Sequence, residues 1–208
     1  GDIAPLKRIA ELCEQFGASS YVDDAHGDGV LGSGRGIIEH FGLHGKVDVE
    51  VGTFSKAFGV VGGYVSGSRN LIDFCRNNSR SYLLSGGQPP AVAAACTAAV
   101  QVIMDKPGSV KKLWRNTKYF KGGMRQMGFD LGSSETPIVP VMLGDAGLAQ
   151  RFAARLFEEG VFGIPIFYPM VAQGKARIRV QVNAHHSKED LNTALAAFEK
   201  IGKEMKAV

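Results

Sequence analysis

Cysteine is scarce in this sequence: Cys13, Cys75 and Cys96 are the only three among 208 residues. They stand far apart, in no closely spaced pair. That odd count and wide spacing argue against a disulfide framework, and because each lies in a helical apolar pattern, buried reduced thiols are expected. Long apolar runs are missing as well. The longest, Pro90 to Met104, is too short and too rich in alanine to cross a membrane. Blocks of like charge are absent, the 24 lysines and arginines being scattered among 20 aspartates and glutamates for a net charge of +4. This excludes a dedicated nucleic-acid surface but leaves anionic small molecules, phosphates among them, as partners. With no repeat, low-complexity tract or leader-like opening, a soluble cytoplasmic protein that binds no membrane is expected.

What is present is an ordinary globular composition, 45% hydrophobic and 21% charged, enough for one sizeable core or two modest ones. Apolar residues at Leu6, Ile9, Ala10 and Cys13 have helical spacing, and Gly17 ends that helix. Strands are expected at residues 20–23, 47–53, 63–66 and 81–84, with helices at 70–77 and 90–104. Alternation of this kind indicates an α/β fold with a mostly parallel sheet, whose ligands lie at the carboxyl ends of the strands. Beyond Pro107-Gly108 the pattern changes to a long helix at 110–127, strands at 138–143, 161–166 and 177–183, and helices at 147–159 and 188–205. We read residues 1–110 as part of one domain and 111–208 as a smaller α+β domain.

Two segments carry chemistry. Asp23-Asp24-Ala25-His26-Gly27 follows an expected strand, and Thr53-Phe54-Ser55-Lys56-Ala57-Phe58-Gly59 follows the next one. A lysine among small residues and a strand-end carboxylate are the equipment for pyridoxal phosphate: an amine for a Schiff base and a negative charge to keep the pyridine nitrogen protonated. Asp24 reads as an N-cap or a solvated loop acid. A competing reading groups Asp23, Asp24, His26 and Asp28 as oxygen and nitrogen donors for a cation. Further on, Arg177 and Arg179 alternate with Ile178 and Val180, so both arginines share one strand face. The adjacent His185 and His186 at a strand end do not suit a single metal ion.

These segments, together with Gly1-Asp2-Ile3-Ala4-Pro5-Leu6, Gly34-Arg35-Gly36 and Ala176-Arg177-Ile178-Arg179-Val180, resemble in order and spacing the α-oxoamine synthases, fold-type-I pyridoxal-phosphate enzymes. The resemblance spans the chain. It implies that residues 1–110 are the C-terminal part of a large cofactor-binding domain, and that a preceding half holds the ring-stacking residue and the phosphate turn. It implies Lys56, Asp23 and His26 as catalytic residues, His26 facing the ring's phenolic oxygen. Thr53 and Ser85 are implied to contact the cofactor phosphate, Ser85 across a homodimer interface, although Gly86-Gly87-Gln88 after it departs from the family pattern. Arg179 is the position implied to bind the amino-acid carboxylate. The implied reaction condenses an amino acid with an acyl-CoA. Among family members, Gly174 to Gln181 and Pro140 to Asp145 look most like glycine C-acetyltransferase, so glycine and acetyl-CoA are the expected substrates; 8-amino-7-oxononanoate synthase and serine palmitoyltransferase are the alternatives.

Overall fold

A computed structural model describes all 208 residues. The chain forms two compact units, Ala4–Val110 and Lys111–Val208, the latter joined by Gly1–Ile3.

In the first unit, α1 (Leu6–Phe16) buries Leu6 and Ala10 and ends at Gly17, whose φ of 60° lets its N–H reach the Cys13 carbonyl. Three strands follow: β1 (Tyr21–Asp23), β2 (Val49–Thr53) and β3 (Gly63–Gly67), in the order β1-β2-β3. β1 and β2 are parallel, with Asp23 opposite Val51. The Asp24 N–H extends the ladder to the Val51 carbonyl at 2.8 Å. β3 runs antiparallel to β2, pairing Tyr64 with Gly52 and Gly63 with Thr53. Both parallel strands are started by one polar clasp, in which Asp48 Oδ2 accepts from the Ser20 N–H at 2.8 Å and the Ser20 hydroxyl at 3.0 Å. Their carboxyl ends, Asp23 and Thr53, therefore emerge at the same edge. Between β1 and β2 the chain makes a glycine-rich loop, a 3-10 turn at Gly32–Gly34 and the short helix α2 (Gly36–Phe41). This helix escapes sequence reading because six residues display too little periodicity.

Beyond β3 come α3 (Arg69–Asn78), α4 (Arg80–Leu83) and α5 (Pro90–Asp105). The strand expected at 81–84 is helical instead. Tyr82, Leu83 and Leu84 are 66%, 53% and 80% exposed, with no neighbouring strand to pair with, so local helical hydrogen bonds satisfy the backbone. The three cysteines are free and helical as expected, but half-buried rather than buried.

The long helix α6 (Gly108–Gln126) leads into the second unit, an antiparallel sheet of β4 (Ile138–Gly144), β5 (Ile164–Ile166) and β6 (Ala176–Gln181) in the order β4-β6-β5. Helices α7 (Ala146–Glu158) and α8 (Lys188–Glu204) complete it. Phe120, Phe152, Phe198, Leu156, Ile178 and Ile201 are almost wholly buried in its core. Phe198 meets Phe152 and Phe129 with ring centroids 5.7 and 5.8 Å apart. β5 is shorter than the expected 161–166, because the Val161 N–H closes the end of α7 on the Leu156 carbonyl at 2.8 Å. Ser187 and Asp190 form a capping box on α8.

Candidate functional site

The edge where β1 and β2 end brings together the two segments singled out in the sequence. Asp23 is exposed at the end of β1, and its Oδ1 accepts from the Ala25 N–H at 2.9 Å, which fixes the carboxylate over the turn that carries the exposed His26. Asp24 points the other way. It is 3% exposed, so it is no solvated loop acid; its Oδ2 accepts from the Ile37 N–H in the first turn of α2 at 2.7 Å. Its capping role is therefore real but long-range. Burial, only partly offset by that bond, pushes its carboxyl up to about 7, with Asp28, Glu50 and Asp23 adding repulsion.

Lys56 lies exposed on the loop leaving β2. The loop is closed by the Val60 N–H on the Phe54 carbonyl at 2.9 Å and the Gly59 N–H on the Lys56 carbonyl at 3.2 Å. Thr53 braces its start: the hydroxyl donates to the Gly62 carbonyl at 2.9 Å and receives the Ser55 N–H at 3.2 Å. Since a hydroxyl has one proton, the 2.8 Å contact between the Thr53 and Ser55 hydroxyls has Ser55 as donor. The loops touch at Gly29 and Ala57. A Cβ on Gly29, whose φ is +74°, would lie 2.6 Å from the Ala57 Cβ, so only glycine permits this approach next to Lys56.

The cation grouping weighed in the sequence is not the one that assembles. Acidic oxygens of Asp24, Asp28 and Glu50 lie within 4.8 Å of one another, whereas Asp23 and His26 are outside that group. Two of its members are engaged by protein donors, Asp24 by Ile37 and Asp28 by the Tyr64 hydroxyl at 2.7 Å. Asp28 and Glu50 are both raised above the usual carboxylate range, by burial first. Sequence reading missed Tyr64 and Glu50. Gly52, a glycine inside an apolar strand, was the available signal for a close approach there.

Ser85 donates its hydroxyl to the Ser81 carbonyl in the last turn of α4. In the second unit Arg177 and Arg179 share a face of β6 opposite buried Ile178. Their environments differ. Arg177 Nε donates to the Lys175 carbonyl at 3.0 Å, whereas Arg179 Nε is buried with no partner. His186 Nδ1 accepts from the Asn183 N–H at 3.2 Å, a structural use of that ring.

Comparison with known proteins places this geometry. A model of the family "Aminotransferase class I and II" matches residues 1–198. The chain is 55% identical over 99% of its length to the 8-amino-7-oxononanoate synthase of Thermosipho melanesiensis, and 56% identical over 98% to that of Fervidobacterium nodosum. It covers 53% and 52% of those proteins, about half the length of the curated relatives it matches. A serine palmitoyltransferase structure with a pyridoxal-phosphate internal aldimine superposes with a TM-score of 0.96 at 34% identity, covering 100% of this chain and 53% of that one. Both kinds of relative are α-oxoamine synthases, the family the motifs resemble, and the fold is that of the fold-type-I pyridoxal-phosphate transferases. The leaning toward glycine C-acetyltransferase, with glycine and acetyl-CoA, finds no support among these relatives; its alternatives fit better. By the match over residues 1–198 and the fold that carries it, the chain belongs to the aminotransferase class I and II family.

Proposed function

We propose that the protein carrying this chain is a pyridoxal-phosphate-dependent C-acyltransferase that condenses an amino acid with an acyl-CoA, and that its product is 8-amino-7-oxononanoate. The observation that carries this reading is the meeting of the Asp23–His26 loop and the Lys56 loop at the carboxyl edge of β1 and β2. An accessible amine and an accessible carboxylate leave adjacent strands there, which is the donor set the cofactor needs. When bound, pyridoxal phosphate supplies an electron sink for carbon–carbon bond formation at the amino-acid Cα.

In this proposal the Lys56 amine attaches the cofactor and then takes and returns the proton at the substrate Cα. Asp23 keeps the pyridine nitrogen protonated, and His26 bonds the ring oxygen. Thr53 turns its hydroxyl from the Gly62 carbonyl to the phosphate, and Ser85 reaches the phosphate of a second subunit. A homodimer suits the exposure of Phe74, Tyr82 and Leu84 at 63%, 66% and 80%. Free thiols suit a cytoplasmic setting.

Arg179 binds the substrate carboxylate. A buried guanidinium nitrogen without an acceptor is costly, and a planar carboxylate supplies the acceptor geometry that it lacks. Arg179→Lys keeps the charge and loses the fork, so affinity for the amino acid falls by about 1.5–3 kcal/mol, roughly 10- to 150-fold. Cofactor uptake is unchanged. Arg177→Lys has little effect on either quantity, because Arg177 Nε is already satisfied by a backbone carbonyl. Titration of the cofactor spectrum with amino acid tests both variants, and equal, wild-type affinity in the two would remove Arg179 from the site.

The relatives' product name divides into a seven-carbon diacid acyl group and the two carbons that alanine keeps after losing its carboxylate. Alanine with pimeloyl-CoA is therefore the expected pair, with release of CoA and carbon dioxide. An assay of glycine, alanine and serine against acetyl-, pimeloyl- and palmitoyl-CoA tests the assignment. The expected preference for alanine and pimeloyl-CoA in kcat/KM is at least about tenfold, since one methylene in a fitted pocket discriminates by that much. Preferential turnover of glycine with acetyl-CoA, the carboxylate being retained, would overturn it.

A further inference from the structure

We infer that Tyr64 is a positioning residue that sets the Lys56 loop against the Asp23–His26 loop, through its hydrogen bond to Asp28 and the packing of its ring on Phe54. The inference rests on the functional reading above only for what the two loops carry. The linkage itself stands on contacts within one unit.

Asp28 lies in the middle of the loop after β1, 6% exposed, with its own N–H on the Asp24 carbonyl at 2.9 Å and a bridge to Arg35. Its Oδ2 receives the Tyr64 hydroxyl at 2.7 Å from β3, two strands away from β1. That reach requires the phenol to cross β2, and Gly52, opposite Tyr64 in the ladder, provides the lane. A Cβ on Gly52 would overlap both Asp28 Oδ2 and the Tyr64 ring. The same ring also packs on the lysine loop: Tyr64 and Phe54 have centroids 5.7 Å apart, and Phe54 and Phe58, which bracket Ser55, Lys56 and Ala57 in the chain, 5.4 Å. Burial and the neighbouring acids raise the phenol above its ordinary value, so it remains a donor at any physiological pH. Gly29 against Ala57 is the second, purely steric link between the loops. A steric stop prevents closer approach but does not prevent separation. The Tyr64–Asp28 bond does, because breaking it leaves a buried carboxylate oxygen without a donor.

Two measurements test this on the protein that carries the chain. In the cofactor-free protein, Tyr64→Phe is expected to speed amide hydrogen exchange in both loops, at Asp28 in one, with Ile37 in the turn of α2 that its neighbour Asp24 holds, and at Phe54 and Val60 in the other, by at least about tenfold. With pyridoxal phosphate added, its dissociation constant rises by about tenfold, the equivalent of one charge-assisted hydrogen bond. Asp28→Asn keeps an acceptor and stays within about twofold of wild type in both readouts, whereas Asp28→Leu reproduces Tyr64→Phe. The double variant Tyr64→Phe with Asp28→Leu is no worse than either alone. Asp28→Leu also carries the test should Tyr64→Phe fail to fold. Unchanged exchange in both loops, or a lowered Tm with exchange altered in one loop only, would overturn the inference, since a plain stabilising bond would give that result. Absence of cofactor uptake by the wild-type protein would instead count against the functional reading, and the exchange arm would still decide the linkage.

Discussion

Lys56→Ala in the protein carrying this chain is expected to eliminate the pyridoxal-phosphate adduct that borohydride fixes to the polypeptide, and turnover with it. Loss of a general base alone costs about 10²–10⁴-fold in rate, and here the attachment point is lost as well. The fold should not register the change. The side chain is exposed, and the bonds that shape its loop, from Val60 to Phe54 and from Gly59 to Lys56, run through the backbone. Stability is therefore expected to stay within about 0.5 kcal/mol of wild type, the usual range for an exposed position. Peptide mapping after reduction checks the site directly. A reduced adduct on another lysine, or one that persists in Lys56→Ala, would show that the amine is elsewhere.

The ends of the strands that carry Asp23 and precede Lys56 are also where the sequence was most readable. A chemical group at a strand end needs only the end of an apolar run and the residue type to be noticed, and both strands end as read. The long amphipathic helices were equally plain, because a single apolar face repeated over α1, α6, α7 and α8 leaves little choice of partner. Residues 81–84 misled, since Tyr82-Leu83-Leu84 after a serine has the composition of a strand and only the absence of a neighbour makes it a helix turn. Asp24 misled in a different manner. Whether an acid between Asp23 and Ala25 is solvated or buried depends on where Ile37 comes to lie, thirteen residues on, and no local pattern carries that. The Tyr64–Asp28 bond was the least accessible of all, spanning 36 positions and depending on the missing side chain of Gly52. Finer specificity lay beyond the reading for a related reason: the fold and the motifs are common to the whole family, so short likenesses in residues 140–145 and 174–181 had no power to choose among its members.

The two adjacent aspartates provide the second large effect. Asp23→Asn keeps an oxygen able to accept the Ala25 N–H, so the turn bearing His26 retains its shape while the negative charge is removed. Without that charge the pyridine nitrogen is no longer held protonated, and exchange of the substrate α-proton with solvent should slow by at least about 10²-fold, the scale on which a preorganised electrostatic partner matters. Cofactor uptake should survive. Asp24→Asn makes the contrast. Burial already pushes the Asp24 carboxyl up to about 7, so the amide imitates the neutral form that carboxyl takes near and below that pH, and its oxygen still accepts from Ile37. Its effect on exchange at pH 6.5 is expected to be under about fivefold, because neither shape nor the field at Asp23 changes much. Following the α-proton signal of alanine by NMR in deuterated buffer compares the two variants on one scale. Slow exchange in both would mean that the pair acts as a unit through the loop, and near-normal exchange in Asp23→Asn would mean that the partner of the ring nitrogen lies elsewhere.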